Sequence, residues 1–438
     1  MTDVGARLEG VFARHAPSVL AEAQRDSFDQ LVHGAPPGVV RARGRVLASR
    51  VRDWLAAQGR TREATAVTRG LLRSYIDESG HEHPDALTEL GALGALLWRA
   101  GKREEGAKLL QGAYEALRSV AGGRDIRVAS VAGNYALALV HEQDWLAAEH
   151  VLETALRIRR EHAPTTTGMV AAQLGEVRVR QGKLELARAA MREAWEQYSQ
   201  QHGRAHARTL ARARVYGKLL LRLELFDSAV EVLRDVYEGT APNTAAWADA
   251  AFDLGVVLDT VGQREEGLRQ VEEAVRWTRA AGDDELAHPT LADRSSQYAR
   301  MLMRRGRLGE VEGLLLEALE ADRRRLGDAS EAVAHRHVTL GNYYANNGRV
   351  QEAMGWLEPG TSLLRSTLGD ADIHTKRAAS QLVTLLLHEA KAAAGRRDPE
   401  LVRALLQRAW MVAVPILGFG DTRTRQLREL GAKVGLRL

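Results

Sequence analysis

Hydrophobic and polar positions along this chain repeat on two length scales. Within a block, apolar residues keep helical spacing, as Leu109, Leu110, Ala113 and Leu117 do. Over longer distances the blocks themselves recur. A small residue separates two blocks, and a second small residue follows five positions later. The clearest copies are Gly101-Lys-Arg-Glu-Glu-Gly106, Gly182-Lys-Leu-Glu-Leu-Ala187, Gly262-Gln-Arg-Glu-Glu-Gly267 and Gly348-Arg-Val-Gln-Glu-Ala353. With the first residue of this phrase as an anchor, copies fall at Gly59, Gly101, Gln143, Gly182, Glu224, Gly262, Gly306 and Gly348, and a degenerate ninth lies near Gly395. The first eight are 42, 42, 39, 42, 38, 44 and 42 residues apart.

Agreement at fixed positions is stronger evidence than the spacing. Eight residues before the anchor every copy carries a large apolar residue: Val51, Leu93, Tyr135, Leu174, Tyr216, Leu254, Tyr298 and Leu340. The next position is small from the second copy on: Gly94, Ala136, Gly175, Gly217, Gly255, Ala299 and Gly341. Twelve after the anchor stand Leu71, Ala113, Ala155, Ala194, Val236, Ala274, Ala318 and Gly360. A large side chain beside an obligatorily small one suits two helices packed closely in a hairpin. Each unit therefore reads as helix A, a turn at the anchor, then helix B. In the second copy helix A runs from Pro84, whose fixed φ suits a first helical position, to about Ala100, and helix B from about Arg103 to Ser119. Length changes fall between one helix B and the next helix A, where loops bury little, as at Pro164 and Pro242.

These residues resemble the tetratricopeptide repeat, and the unit of about 42 residues is similar to the kinesin-light-chain type. That type's linker phrase is echoed in Gly80-His-Glu-His-Pro-Asp-Ala-Leu87 and Gly203-Arg-Ala-His-Ala-Arg-Thr-Leu210, and again at Leu286–Thr290, Leu326–Ala329 and Leu368–Ala371. The resemblance covers residues 40 to 370 and departs at Gln143 and Glu224, where the turn glycine is replaced. A HEAT or armadillo array also fits the period, but the phasing of the small residues favours the tetratricopeptide repeat. The resemblance implies an all-α fold, a right-handed α-solenoid of stacked helix-turn-helix repeats.

The expected organisation is a helical cap over residues 1–38, a solenoid over 39–397 and capping helices over 398–438. The first cap carries Leu8, Val11 and Phe12 on one helix and Leu20, Phe28 and Leu31 on another, before the break at Gly34-Ala-Pro-Pro-Gly38. The last carries Leu401, Leu405, Leu406 and Trp410, then Pro415. Lys+Arg number 61 against 57 Asp+Glu, so the net charge is only +4 and no global polyanion-binding field is indicated. Only seven of the cations are Lys. With no cysteine, disulfides, thiolate metal sites and cysteine nucleophiles are excluded. The first residues show no basic stretch followed by an apolar one, as a signal peptide needs, and no run of about 18 apolar residues occurs, so a cytoplasmic protein without membrane insertion is expected.

No P-loop, HExxH, GxSxG or GxGxxG in a βαβ setting occurs. Three histidine pairs, His81/His83, His202/His206 and His335/His337, lack an evident third ligand, so neither metal nor another cofactor is expected. Glu104/Glu105, Glu265/Glu266 and Asp283/Asp284 sit at helix starts or in loops, where negative charge complements the helix dipole. Arg323-Arg324-Arg325 and Arg396-Arg397 read as a solvated face and a helix end.

In the related family helix A lines a concave groove. Carrying its phase over, at ten, nine, six, three and thirteen residues before the anchor, selects Trp98, Asn134, Gln173, Glu176, Arg214, Lys218, Asp249, Asp253, Asp259, Gln297, Arg300, His335 and Asn342. Asn and Gln can both donate to and accept from a peptide backbone. Arg214 and Lys218 are one turn apart and could clamp a carboxylate, and Asp249 and Asp253 are likewise one turn apart. The expected function is a non-catalytic scaffold or adaptor that binds a peptide or partner protein. The alternatives are a regulator whose solenoid changes shape when a peptide or small molecule binds, and, more weakly, an RNA-binding surface. Oligomeric state is not encoded in any of these features.

Overall fold

A computed structural model describes residues 37–281 and 289–436. Among the described residues there are nineteen α-helices and no strand. In chain order they are α1 (Pro37–Ala57), α2 (Thr61–Ser79), α3 (Pro84–Arg99), α4 (Arg103–Val120), α5 (Ile126–His141), α6 (Trp145–His162), α7 (Gly168–Arg180), α8 (Leu184–His202), α9 (Ala207–Arg222) and α10 (Phe226–Gly239). Then come α11 (Ala245–Thr260), α12 (Arg264–Ala280), α13 (Pro289–Met303), α14 (Val311–Leu326), α15 (Glu331–Asn346), α16 (Val350–Leu368), α17 (Ile373–Gly395), α18 (Pro399–Leu417) and α19 (Thr422–Lys433). Up to α18 the odd-numbered helices are helices A and the even-numbered ones helices B. The N-terminal cap expected over residues 1–38 lies almost wholly outside the described residues, as do Asp283, Asp284 and most of the linker echo at 286–290.

The turns show why the repeat is spaced as it is. Gly59, Gly101, Gly182, Gly262, Gly306 and Gly348 all have φ between 69° and 88°. Gln143, Glu224 and Arg397 adopt the same left-handed conformation, at 61°, 59° and 59°, despite their side chains. At all nine positions the next residue's N–H returns to the carbonyl five residues back, as in Lys102 to Leu97 (3.0 Å) and Asp144 to Leu139 (2.9 Å). This bond satisfies a carbonyl that the end of helix A would otherwise leave orphaned. The ninth turn is therefore at Arg397, two residues after Gly395. Residues 399–417 pack on α17 as a helix B would: Leu382, Leu386 and Ala390 are buried in one cluster with Val402, Leu405 and Ala409. A second left-handed residue lies 21 positions after most anchors, at Gly80, Gly122, Gly203, Gly327, Gly369 and Gly418, and closes the step to the next helix.

In the α3–α4 and α11–α12 hairpins the small residues seven before and five after the anchor meet. A Cβ on Gly94 would stand 2.9 Å from the Gly106 carbonyl oxygen, and one on Gly106 would stand 2.7 Å from the Gly94 carbonyl oxygen. Gly255 and Gly267 repeat this contact, at 2.7 and 2.6 Å. Backbones this close leave no room for a side chain.

The described residues fall into two compact units, divided between Leu225 and Phe226. In the first unit a continuous core runs from Leu87 to Ala194, with Leu110, Leu117, Leu152, Ile158 and Leu174 fully buried. In the second, one cluster spans Leu268 to Ala353 and another Met354 to Leu427. Arginine–carboxylate pairs connect successive repeats on both sides of each stack. Successive helices A are joined by Asp85–Arg127 (2.8 Å) in the first unit and by Asp293–Arg336 (2.7 Å) in the second. Helices B are joined by Arg160–Glu193 in the first unit and by Arg234–Glu266 (2.9 Å), Arg279–Glu317 (2.6 Å) and Arg349–Glu312 (2.7 Å) in the second. Much of the arginine content is thus used between repeats.

Candidate interaction surface

A helix packed on one side against its own hairpin and on its flanks against its neighbours leaves a narrow stripe for solvent. On the helices A this stripe falls thirteen, nine, six and two residues before the anchor. In the first unit it comprises Ser130, Asn134, Leu137 and His141 on α5, Met169, Gln173, Glu176 and Arg180 on α7, and Ala211, Val215, Lys218 and Arg222 on α9. Asn134 and Gln173 are half-buried and the others exposed. The expected phase thus shares three of its positions with this stripe. Its other two, ten and three before the anchor, lie on the packed flanks.

Trp98 and Arg214 belong to those flanks. Trp98 is half-buried, its ring edge-on to His141 at 5.9 Å and under the Arg103 guanidinium at 5.8 Å, and its backbone faces Gly106. Its bulk closes the hairpin instead of standing in the stripe. Arg214 is half-buried beside the stripe, whereas Lys218 is exposed on it. The Gln173 amide spans two helices: its Nε2 donates to the Gly133 carbonyl at 3.4 Å, and its Oε1 is a buried acceptor that no protein donor faces. Glu176 pairs with Arg212 at 3.6 Å, both largely solvated.

The second unit uses the same positions differently. Asp249 accepts a hydrogen bond from Arg294, which is only 3% exposed and also donates to Thr278. One repeat later Asp293 and Arg336 stand in the same register, and Arg336 also donates to Asp322 and Ser296, each at 2.9 Å. Asp253 is 6% exposed, and Asp259 is held by Arg304 and Arg305 at 3.1 and 2.9 Å. Gln297 and Asn342 are half-buried on the stripe and Arg300 is exposed. Partial burial pushes the Arg300 guanidinium below its ordinary value, the cations of Arg336 and Arg304 push it further, and Asp293 opposes them. His335 is half-buried, edge-on to His374 at 5.0 Å and 3.5 Å from Glu331. The structure therefore brings Asn134, Gln173 and Lys218 onto one face in the first unit. In the second it ties Asp249 and Asp259 into the joints between repeats.

Sequence reading selected polar residues and passed over Leu137, Met169 and Val215, exposed apolar side chains on the same stripe. It also passed over the basic end of the stripe at Arg99, His141, Arg180 and Arg222, although extending the phase by one helical turn reaches all four. The remaining candidates have local roles. His83 and His206 cap α3 and α9, their Nδ1 atoms accepting from Asp85 and Arg208 N–H groups at 3.3 and 3.2 Å. Glu104 and Glu266 are paired with Lys108 and Arg234, at 2.7 and 2.9 Å. Among the described residues no three His, Asp or Glu side chains are grouped to hold a metal ion, and no helix is long and apolar enough to cross a membrane.

No protein-family model matches the chain, and no curated protein matches it. Among solved structures, the apo form of RapI matches 90% of this chain and 99% of its own, with a TM-score of 0.58 at 9% sequence identity. The fold is of the tetratricopeptide-repeat type. Other tetratricopeptide-like structures match about half of the chain. BtubC (BKLC) from P. vanneervenii matches 51% of this chain and 91% of its own at 17% identity and a TM-score of 0.43. YrrB, a TPR protein with an unusual peptide-binding site, matches 47% of this chain and 91% of its own at 19% identity and a TM-score of 0.37. At these identities the likeness to solved tetratricopeptide-repeat proteins is one of fold.

Proposed function

We propose that the chain is a non-catalytic interaction module, and that the stripe on α5, α7 and α9 takes an extended segment of a partner protein. The observation that carries this reading is the composition of that stripe. Three successive helices A present an apolar side chain (Leu137, Met169, Val215) beside amides (Asn134, Gln173) and cations (Lys218, Arg222). Amides can pair with a peptide backbone, the apolar groups give it area to bury, and the cations favour acidic side chains. A nucleic acid would ask for aromatic platforms beside its basic track, and no stripe residue on α5, α7 or α9 is Phe, Tyr or Trp. The test is selection of displayed random peptides on the full chain, followed by binding measurements on Leu137→Asp/Met169→Asp/Val215→Asp. The triple variant should lose at least tenfold in affinity for the selected peptides, while a control with Arg192→Ala and Glu196→Ala on α8 should not. Peptides that bind the triple variant as tightly as the parent would place the interface elsewhere and end this reading.

A further inference from the structure

In the second unit a hollow of about 590 Å³ opens between α14 and α16, with α15 as its floor. Arg323 lies on one wall, Pro359, Ser362, Leu363 and Ser366 on the other, and His337 at the base. None of these residues belongs to the helix A stripe.

The hollow's charged lining groups are the Arg323 guanidinium and, at the rim, the Asp328 carboxylate. The Nη2 of Arg323 lies 3.3 Å from Nε2 of His337. A guanidinium can only donate, so Nε2 accepts, and the ring hydrogen must sit on Nδ1. His337 is 8% exposed, and no protein acceptor faces that Nδ1–H. Burial and the neighbouring Arg323 push the ring's pKa down, with the Asp328 carboxylate opposing, so a neutral imidazole steers a cation. The ring fits because residue 360 is glycine: a Cβ there would lie 2.9 Å from the His337 Cβ. On its other side the ring meets Trp356 edge-on at 5.1 Å. The Nε of Arg323 is buried, and its nearest acceptor, Oδ1 of Asp328, lies at ion-pair distance (3.1 Å) without hydrogen-bond alignment. Asp328 is on the rim, its side chain 86% exposed. A half-buried guanidinium whose buried Nε has no aligned acceptor, at the edge of a cavity, is a receptor for a planar oxyanion.

We propose that this hollow is a second binding site, which takes the carboxylate of an acidic residue in a peptide partner on Arg323. The Ser362 hydroxyl flanks the carboxylate, the Ser366 hydroxyl being committed to the Leu363 carbonyl at 2.9 Å, and the adjacent apolar residue of the peptide rests on Pro359 and Leu363. The exposed Asp328 carboxylate is the internal competitor that the ligand displaces. His337 is a positioning residue, which fixes the guanidinium without adding charge.

The test uses the full chain and fluorescent pentapeptide amides with Glu or Asp between two leucines, their Gln and Asn analogues, and inorganic phosphate as competitor, read by anisotropy. The acidic peptides should bind at least tenfold more tightly than the amide analogues. Arg323→Gln should abolish that preference. Asp328→Asn, a change at an exposed side chain that does not threaten folding, should tighten the acidic peptides several-fold. Equal binding of acidic and amide peptides, no binding at millimolar concentration, or loosening by Asp328→Asn would each overturn the proposal. Saturation by phosphate with no peptide bound would overturn it in favour of a free-anion site. The triple variant on the α5, α7 and α9 stripe should leave this binding unchanged, which separates the two sites.

Discussion

The stripes of the two units are built on one framework and spend their polar residues differently. On α5, α7 and α9 the stripe is exposed or half-buried and mixes apolar, amide and basic side chains. On α11 and α13 it begins with Asp249 and Asp293, which reach to Arg294 and Arg336 on the next helix A. The second unit thus carries its inter-repeat joint on the stripe itself, at a position the first unit fills with Ser130, Met169 and Ala211. The same position serves stacking in one unit and solvent in the other. Family phase alone therefore cannot say which polar residue meets a ligand; the partner one repeat away decides.

The largest effect expected from this contrast is at Arg294. Arg294→Leu removes the buried donor that serves Thr278 and the half-buried Asp249, and taking such a donor away costs about 1–3 kcal/mol, more where the acceptor is charged. Urea unfolding should show that loss, and Asp249→Leu added to it should recover part. A loss below about 1 kcal/mol would mean the pair behaves like a solvated one.

Next come the hairpin contacts. A Cβ at Gly255 meets the Gly267 carbonyl at 2.7 Å, and backbone cannot step aside. One at Gly175 meets Cγ of Met191 at 2.5 Å, and a methionine can. Gly255→Ala should therefore cost about 1–3 kcal/mol and Gly175→Ala less, by thermal or urea unfolding. Equal costs would mean that both contacts relax alike.

A smaller gain is expected at the turns. Gln143, Glu224 and Arg397 hold φ near 60°, where an L side chain carries about 1–2 kcal/mol of strain that glycine avoids. Glycine also loses more chain entropy on folding, so each change to Gly should stabilise by about 1 kcal/mol or less, and Gly101→Ala should do the reverse. A Gln143→Gly variant no more stable than its parent would show that the side chain has compensated.

The repeat, the hairpin and eight of the nine turns were legible in the sequence because each is a local demand. A tight turn needs φ above zero, and a close helix crossing needs a missing side chain. The ninth was legible only to within two residues, because Arg397 does not announce a left-handed turn and, unlike at Gln143 and Glu224, the surrounding copy is degenerate. The interaction surface was less legible for a different reason. Asn134, Gln173 and Lys218 follow from helical phase, but the ties of Asp249 and Asp259 depend on Arg294, Arg304 and Arg305, about 45 residues away. The hollow under Arg323 escaped entirely, since it needs a glycine in α16, a histidine in α15 and the end of α14 to converge.

The smallest effect expected is at Glu176 and Arg212, where Arg212 holds in the first unit the position that Arg294 and Arg336 hold in the second. At 3.6 Å, with side chains 59% and 34% exposed, this pair is screened by water and should contribute about 0–1 kcal/mol. Glu176→Gln should thus leave the urea midpoint nearly unchanged. It also removes the one carboxylate from a stripe that otherwise carries Lys218, Arg180 and Arg222. If that stripe takes a peptide, the variant should favour more acidic sequences in the same display selection while its stability stays put. A variant that loses stability without changing its peptide preference would make Glu176 a joint, as Asp249 is, although it lies six rather than thirteen residues before its anchor.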